Sequence, residues 1–324
     1  MPKKITLCKP NGFCAGVERA IKIVDLALEA YGAPIYVNHE IVHNQHVVAD
    51  LASRGAVFVE DLDEVPEGAR LIYSAHGVSP EVRAHAKSRK LRELDATCPL
   101  VTKVHLEALR FAKQGYHIFL IGHADHVEVI GTYGEVPEHI TIVEPHRGEA
   151  LDEVVAALPE PPSEKLVYLT QTTLNVADCM KVVEALKVRF PHLIGPPKDD
   201  ICYATSNRQD AVKAIAPGVD HFIVVGSHTS SNSKRLVEVA REHGAASALY
   251  PDVTALKDLD LEPLHHVAIT AGASTPNVLV QAIIDYLQRH GFETFQTYDH
   301  VEERMHFAVP AHFRRDLEAK GVVV

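Results

Sequence analysis

Three cysteines open the same short pattern at three places in the chain. Cys14 begins Cys14-Ala-Gly-Val-Glu-Arg, Cys98 begins Cys98-Pro-Leu-Val-Thr-Lys, and Cys202 begins Cys202-Tyr-Ala-Thr-Ser-Asn; each leads through a helix-like stretch to a glycine (Gly32, Gly115, Gly218) and then to an apolar strand. The cysteine-to-glycine separations are 18, 17 and 16 residues, a periodicity that predicts one structural unit used three times. A cysteine where a helix begins meets free N–H groups and the positive end of the helix dipole, which favour a thiolate. Three thiolates suit zinc or an iron–sulfur cluster. Structural zinc usually takes four ligands in close pairs, whereas these cysteines stand 84 and 104 residues apart. That spacing fits a cubane [4Fe–4S] cluster assembled between units, with one iron left open as a Lewis acid and docking point for a substrate oxygen. The plain alternative, buried apolar cysteines, suits any one of them singly but not three in register. Cys8, at the end of the first strand, is a rival to Cys14, and Cys179 reads as an ordinary helix residue.

The same units supply polar groups at regular steps. From each cysteine to a central polar residue the distance is 29, 28 and 28 residues, reaching His43, His126 and Ser230, and a second polar tip follows at His76, Thr172 and Ser274. Together with Ser231 and Asn232 these make a donor-rich lining for an oxyanion with many acceptor atoms, and a diphosphate fits well. Lys and Arg are absent from the tips, so neutral donors and protonated imidazoles carry that task. Helix capping is the bland alternative for Thr229-Ser-Ser-Asn-Ser233, and both can hold at once. His105, His117 and His192 read as structural histidines. Glu128, just past His126, is the carboxylate that could deliver a proton to a leaving oxygen, with the Thr172 hydroxyl as relay; a solvated loop glutamate is its alternative.

Elements must place these groups. Apolar runs at 5–7, 35–37, 57–59, 71–74, 118–121, 140–143, 167–169, 222–225, 247–250 and 267–270 read as strands. Helical patterns lie at 16–30, 44–53, 80–88, 99–113, 149–157, 176–189, 205–214, 231–243 and 276–289. This alternation predicts an α/β fold with mostly parallel sheets, whose ligands collect at the carboxyl ends of strands. Breaks at Pro159-Glu-Pro-Pro162 and Gly195-Pro-Pro197 support three similar α/β domains over 15–97, 98–196 and 197–283. Pseudo-threefold packing would face their tips onto a shared central cavity. The tail, 284–324, is expected to pack back on the first domain through His312-Phe-Arg-Arg-Asp-Leu-Glu.

A net charge of −11 over 324 residues argues against a nucleic-acid-binding surface, which needs clustered Lys and Arg. No apolar run reaches the length of a membrane span, and no apolar signal core follows Lys3 and Lys4, so the chain reads as soluble and cytoplasmic. In a reducing cytosol its five cysteines are expected as thiols or ligands rather than disulfides.

Taken together, the motifs resemble the 4-hydroxy-3-methylbut-2-enyl diphosphate reductase family of the non-mevalonate isoprenoid pathway. The matching segments are Gly12-Phe-Cys14-Ala-Gly-Val, His39-Glu-Ile-Val-His43-Asn, Ser74-Ala-His76-Gly-Val-Ser, Asp95-Ala-Thr-Cys98-Pro-Leu-Val-Thr-Lys-Val-His, Thr170-Gln-Thr-Thr-Leu, Asp199-Asp-Ile-Cys202-Tyr-Ala-Thr, Ser230-Ser-Asn-Ser and Thr270-Ala-Gly-Ala-Ser274. They run in order through nearly the whole chain. The resemblance implies a trefoil of three α/β domains and a [4Fe–4S] cluster on Cys14, Cys98 and Cys202. It implies diphosphate binding by His43, His76, His126, Ser230, Ser231, Asn232 and Ser274, with Thr172 near the substrate hydroxyl and Glu128 as proton donor. It also implies electrons from ferredoxin or flavodoxin and reductive dehydroxylation to isopentenyl and dimethylallyl diphosphate. The chain departs from the family pattern at Val127, where a proline is usual, with Asp125 just before. Two other classes stay open from the residues alone: a zinc-dependent hydrolase on the same thiolates, and a non-enzymatic cluster sensor, for which the acidic chain offers no output surface.

Overall fold

The structure, a computed structural model, describes residues 2–145 and 151–323. In chain order its elements begin with β1 (Lys4–Lys9), α1 (Ala15–Tyr31), β2 (Ile35–Asn38), α2 (Gln45–Ser53), β3 (Ala56–Val59), β4 (Arg70–Tyr73), α3 (Pro80–Ser88) and β5 (Arg92–Asp95). There follow α4 (Pro99–Lys113), β6 (His117–Ile121), α5 (Val127–Glu135), β7 (Ile140–Val143), α6 (Leu151–Ala157), β8 (Leu166–Thr170) and α7 (Val176–Arg189). The remainder is α8 (Tyr203–Ile215), β9 (His221–Val225), α9 (Ser231–Glu242), β10 (Ala246–Tyr250), β11 (His266–Ala271), α10 (Asn277–Arg289), β12 (Thr294–Asp299) and α11 (Ala311–Ala319). Among the described residues no helix is long and apolar enough to cross a membrane.

These residues form two compact units. The first comprises Met1–Glu18, Val42–Asp50 and Tyr203–His306. Its five-stranded sheet runs β10-β9-β11-β1-β12 and is parallel throughout. Successive strand residues point to opposite faces, and here both faces are buried, which is why the β9 sequence Phe222-Ile-Val-Val is apolar without alternation. Ile223 and Val225 pack with Ile5, Ile269 and the α10 residues Ile283 and Leu287. Phe222 and Val224 pack on the other face with Ala268, Val212 and Leu236.

The second unit comprises Arg19–Ile41, Leu51–Cys202 and Phe307–Val324 and holds two further parallel sheets, β3-β2-β4-β5 and β7-β6-β8. In the smaller sheet Phe119 and Ile121 pack against Val182 and Leu186 of α7. Ile118 and Leu120 pack against Val104 and Ala108 of α4 and Val129 of α5. In the other, Leu71 and Tyr73 pack with Val78, Ala86 and Leu91. The α/β class and the parallel sheets are as the alternation predicts.

Ten strands fall where the apolar runs place them, and among the described residues two strands and two α-helices were not foreseen. The β5 sequence Arg-Glu-Leu-Asp buries little but Leu94, and the edge strand β12 is mostly exposed, so neither carries an apolar signal. Helix α5 forms although it contains Gly131 and Gly134. A Cβ at Gly134 would sit 2.5 Å from Ser79 Cβ, and one at Gly131 would sit 3.3 Å from the His105 ring, so these glycines let α5 lie close to its neighbours. The last, α11, buries Phe313 and Leu317. The first two residues of the helix expected over 149–157 lie outside the described residues.

Candidate active site

In the second unit the polar groups are built from strand ends and helix starts. His76 follows β4, its Nδ1 3.1 Å from the Ser74 hydroxyl. Gly77 then turns the chain at φ +80, and a Cβ there would meet the His105 ring at 3.2 Å. His105 is buried, paired through Nδ1 with Glu135 at 2.8 Å, and does what its structural reading says. His126 is the N-cap of α5, its Nδ1 accepting from the Glu128 N–H at 3.2 Å. Val127 therefore occupies the first helical position, where proline is favoured because its missing N–H and fixed φ cost nothing. The departure at Val127 leaves this cap in place. The His76 and His126 rings lie edge to face, centroids 6.2 Å apart.

Glu128 stands in the first turn of α5 rather than at a strand end, and it is 3 % exposed. Its carboxylate accepts two hydrogen bonds from one residue: the Thr172 N–H at 2.6 Å and the Thr172 hydroxyl at 3.0 Å. Burial pushes its pKa up to about 7, against the opposing pull of the Thr172 bonds, with Asp200 adding to the rise. A carboxyl so placed holds a proton near neutral pH and can give it up. Close approach is secured by Gly122 at the end of β6, where a Cβ would lie 2.6 Å from Val129 and 3.1 Å from Gln171.

Cys98 and Cys202 belong to this unit. Cys98 is the N-cap of α4, with Pro99 in the first turn, and its N–H donates to the Ala75 carbonyl at 2.9 Å, beside His76. The Cys202 N–H donates to the Thr172 carbonyl at 3.0 Å. One lysine ties both segments together. Lys103, on the helix that Cys98 opens, donates to the carbonyls of Lys198 (2.8 Å) and Asp199 (3.2 Å) and pairs with the Asp200 carboxylate at 2.8 Å. Asp200 also accepts from the Thr170 N–H at 3.1 Å. Burial raises the Asp200 pKa, with Lys103 working against it. The structure thus gathers Cys98, Cys202, Thr172, Glu128, His76 and His126 onto adjoining segments. Lys103 and Asp200 were not singled out, although both stand inside quoted motifs, Cys98-Pro-Leu-Val-Thr-Lys103 and Asp199-Asp-Ile-Cys202: a buried aspartate looks like a solvated one until its lysine is known.

In the first unit, Cys14 follows the Gly12-Phe turn. Gly12 sits at φ +71, and the Cys14 N–H donates to the Ala273 carbonyl at 3.1 Å, next to Ser274. Arg208 fastens this turn. Fully buried, it donates to the Gly12 carbonyl at 2.8 Å and pairs with Glu303 at 3.1 Å; neither residue stood out in the sequence. Ser230 caps α9, accepting from the Ser233 N–H at 3.3 Å, so the capping reading holds. Ser231 and Asn232 form the first turn, whose N–H groups and dipole favour an anion. Asn232 also accepts from the Ala273 N–H at 3.0 Å, and the Ser274 hydroxyl donates to the His43 carbonyl at 3.0 Å. Ser233 lies in a slot between Gly226 and Gly272, where added Cβ atoms would come within 2.3 and 2.0 Å of its hydroxyl.

The five cysteines divide into two kinds. Cys8 and Cys179 are buried among apolar side chains, and burial pushes both thiols up to about 12. Such thiols stay neutral and are poor ligands. Cys14, Cys98 and Cys202 are only partly buried and sit where helices begin. That donor set fits a soft, thiolate-loving group such as an iron–sulfur cluster.

Comparison with known proteins is consistent over nearly the full length. The profile of the family described as LytB protein matches residues 5–288. A 4-hydroxy-3-methylbut-2-enyl diphosphate reductase from Acidothermus cellulolyticus is 51 % identical over 323 residues, covering 99 % of this chain and 93 % of its own. A protein of the same name from Streptomyces coelicolor is 51 % identical over 320 residues, covering 98 % and 93 %. Among solved structures, the E-1-hydroxy-2-methyl-but-2-enyl-4-diphosphate reductase from Plasmodium falciparum superposes with a TM-score of 0.94 at 43 % identity, covering 99 % of this chain and 100 % of that one. A second, described as the terminal enzyme of the non-mevalonate pathway, gives a TM-score of 0.61 at 29 % identity, covering 89 % and 99 %.

Proposed function

The chain belongs to the LytB protein family, and from that premise we infer that it is a 4-hydroxy-3-methylbut-2-enyl diphosphate reductase, the last enzyme of the non-mevalonate isoprenoid route. The reaction is a reductive dehydroxylation. Two electrons and two protons enter, the allylic C–O bond breaks, water leaves, and protonation at either end of the allyl system gives isopentenyl or dimethylallyl diphosphate.

Cys14, Cys98 and Cys202 are proposed to hold a [4Fe–4S] cluster, which when bound supplies the electrons and an iron without a protein ligand that acts as a Lewis acid. The reading is supported by the division of the cysteines, three partly exposed at helix starts and two buried as neutral thiols. The chain's own side chains then have separate tasks. Ser230, Ser231 and Asn232 at the start of α9, with Ser274, His43, His76 and His126, bind the diphosphate through hydroxyl, amide and imidazole donors. Thr172 orients the substrate hydroxyl, and Glu128 protonates it as it leaves. The observation that carries this assignment is the Glu128 carboxyl, buried with a pKa near 7 and hydrogen-bonded to Thr172. Ferredoxin or flavodoxin as electron donor, a cytoplasmic setting, and domains over 15–97, 98–196 and 197–283 in pseudo-threefold array with a tail over 284–324 belong to the same proposal.

The test is turnover of 4-hydroxy-3-methylbut-2-enyl diphosphate by anaerobically isolated protein under dithionite, read by chromatography of the products. Both five-carbon diphosphates are expected. A protein with its full iron and sulfide complement that leaves the substrate untouched would overturn the reading.

A further inference from the structure

One cation lies beside a proposed ligand without belonging to the substrate tips. Arg19, on α1 within the second unit, reaches the loop that carries Cys98. Its Nη1 donates to the Thr97 carbonyl at 2.9 Å, its Nη2 to the Asp95 carbonyl at 3.5 Å, and its Nε to the Ala308 carbonyl at 2.9 Å. All three acceptors are neutral carbonyls, so the bonds fix the guanidinium in place without cancelling its charge. The adjacent Asp95 carboxylate is itself engaged by Arg83 at 2.9 Å and by the Thr97 N–H at 2.9 Å. Burial lowers the Arg19 pKa, while Asp95 and Cys98 act to raise it, so the charge lies within electrostatic reach of the Cys98 sulfur. An arginine cannot lose its proton in a protein; its charge there is permanent.

Resting on the cluster reading above, we propose that Arg19 is a positioning residue that raises the reduction potential of the group bound by Cys98, holding the Asp95–Cys98 loop by hydrogen bonds and placing a fixed positive charge beside it. Reduction adds one negative charge to the cluster. A fixed cation stabilises the reduced form more than the oxidised one, and net charge and hydrogen bonding around a cluster are the protein's levers on its potential.

The test compares Arg19→Gln, which removes the charge, with Arg19→Lys, which keeps charge and loses the fork. Each is titrated potentiometrically with detection by electron paramagnetic resonance, and iron and sulfide are counted. Arg19→Gln is expected to keep its cluster and to shift the one-electron equilibrium about tenfold toward the oxidised form, about 59 mV, with Arg19→Lys shifting by less than half of that. An unchanged potential in a fully loaded Arg19→Gln, or equal shifts in both variants, overturns the proposal. If Arg19→Gln fails to load, Arg19→Lys decides: a near-native potential supports the role of the charge, whereas loss of the cluster there too confines Arg19 to holding the loop and overturns it. A wild-type protein that binds no cluster would instead overturn the reading on which this inference rests.

Discussion

At Glu128, burial and hydrogen bonding pull in opposite directions, and burial wins. With the folded-state pKa near 7 against an ordinary 4.5, the folded protein holds this proton more tightly than the unfolded chain does. The group's contribution to stability is therefore full below pH 4.5 and is lost as pH rises through about 7. The catalytic consequence has the same sign. Only the protonated form can serve as acid, so kcat should fall on the alkaline side of about 7 in a pH–rate profile. Glu128→Gln should lower kcat by roughly 10²–10⁴-fold and abolish that alkaline limb, with iron content unchanged. Thr172→Val, which removes the hydroxyl bond but leaves the backbone one, should move the limb to higher pH, because one of the contacts that favour the ionised form is gone.

Among the elements, the glycines beside strand ends decide how closely segments approach. A Cβ at Gly272 would lie 2.0 Å from the Ser233 hydroxyl, so Gly272→Ala should cost about 1–3 kcal/mol by overpacking. It should also weaken diphosphate binding measured calorimetrically, and adding Ser233→Ala should restore part of both. Removing the buried Arg208, as Arg208→Met, takes the counter-charge from Glu303, which keeps its bond from the Asn207 amide, and frees the Gly12 turn; denaturant unfolding should show a loss of about 3–5 kcal/mol. What was legible in the sequence follows the same physics. The runs at β6 and β9 are apolar because both sheet faces are covered, and they were visible at once. The edge strands β5 and β12 bury little and left no trace. Helix α5 was hidden because its glycines answer to Ser79 and His105, distant in sequence. The polar tips stood out by spacing, whereas Lys103, Asp200 and Arg208 acquire their meaning only from partners that the fold supplies.

On the scale of the whole molecule, the proposed ligands lie on three cysteine-bearing segments 84 and 104 residues apart. The roles of the five cysteines should therefore separate cleanly. Cys14→Ser, Cys98→Ser and Cys202→Ser should each lose iron and turnover, while Cys8→Ser and Cys179→Ser, replacing buried neutral thiols, should keep both. A net charge of −11 also bears on electron delivery, since a donor of like charge must approach against repulsion that salt screens. The proposed cluster is tested by the count of iron and acid-labile sulfide after anaerobic isolation. About four of each per chain are expected, as a [4Fe–4S] cluster requires; stoichiometric zinc with no sulfide would contradict it.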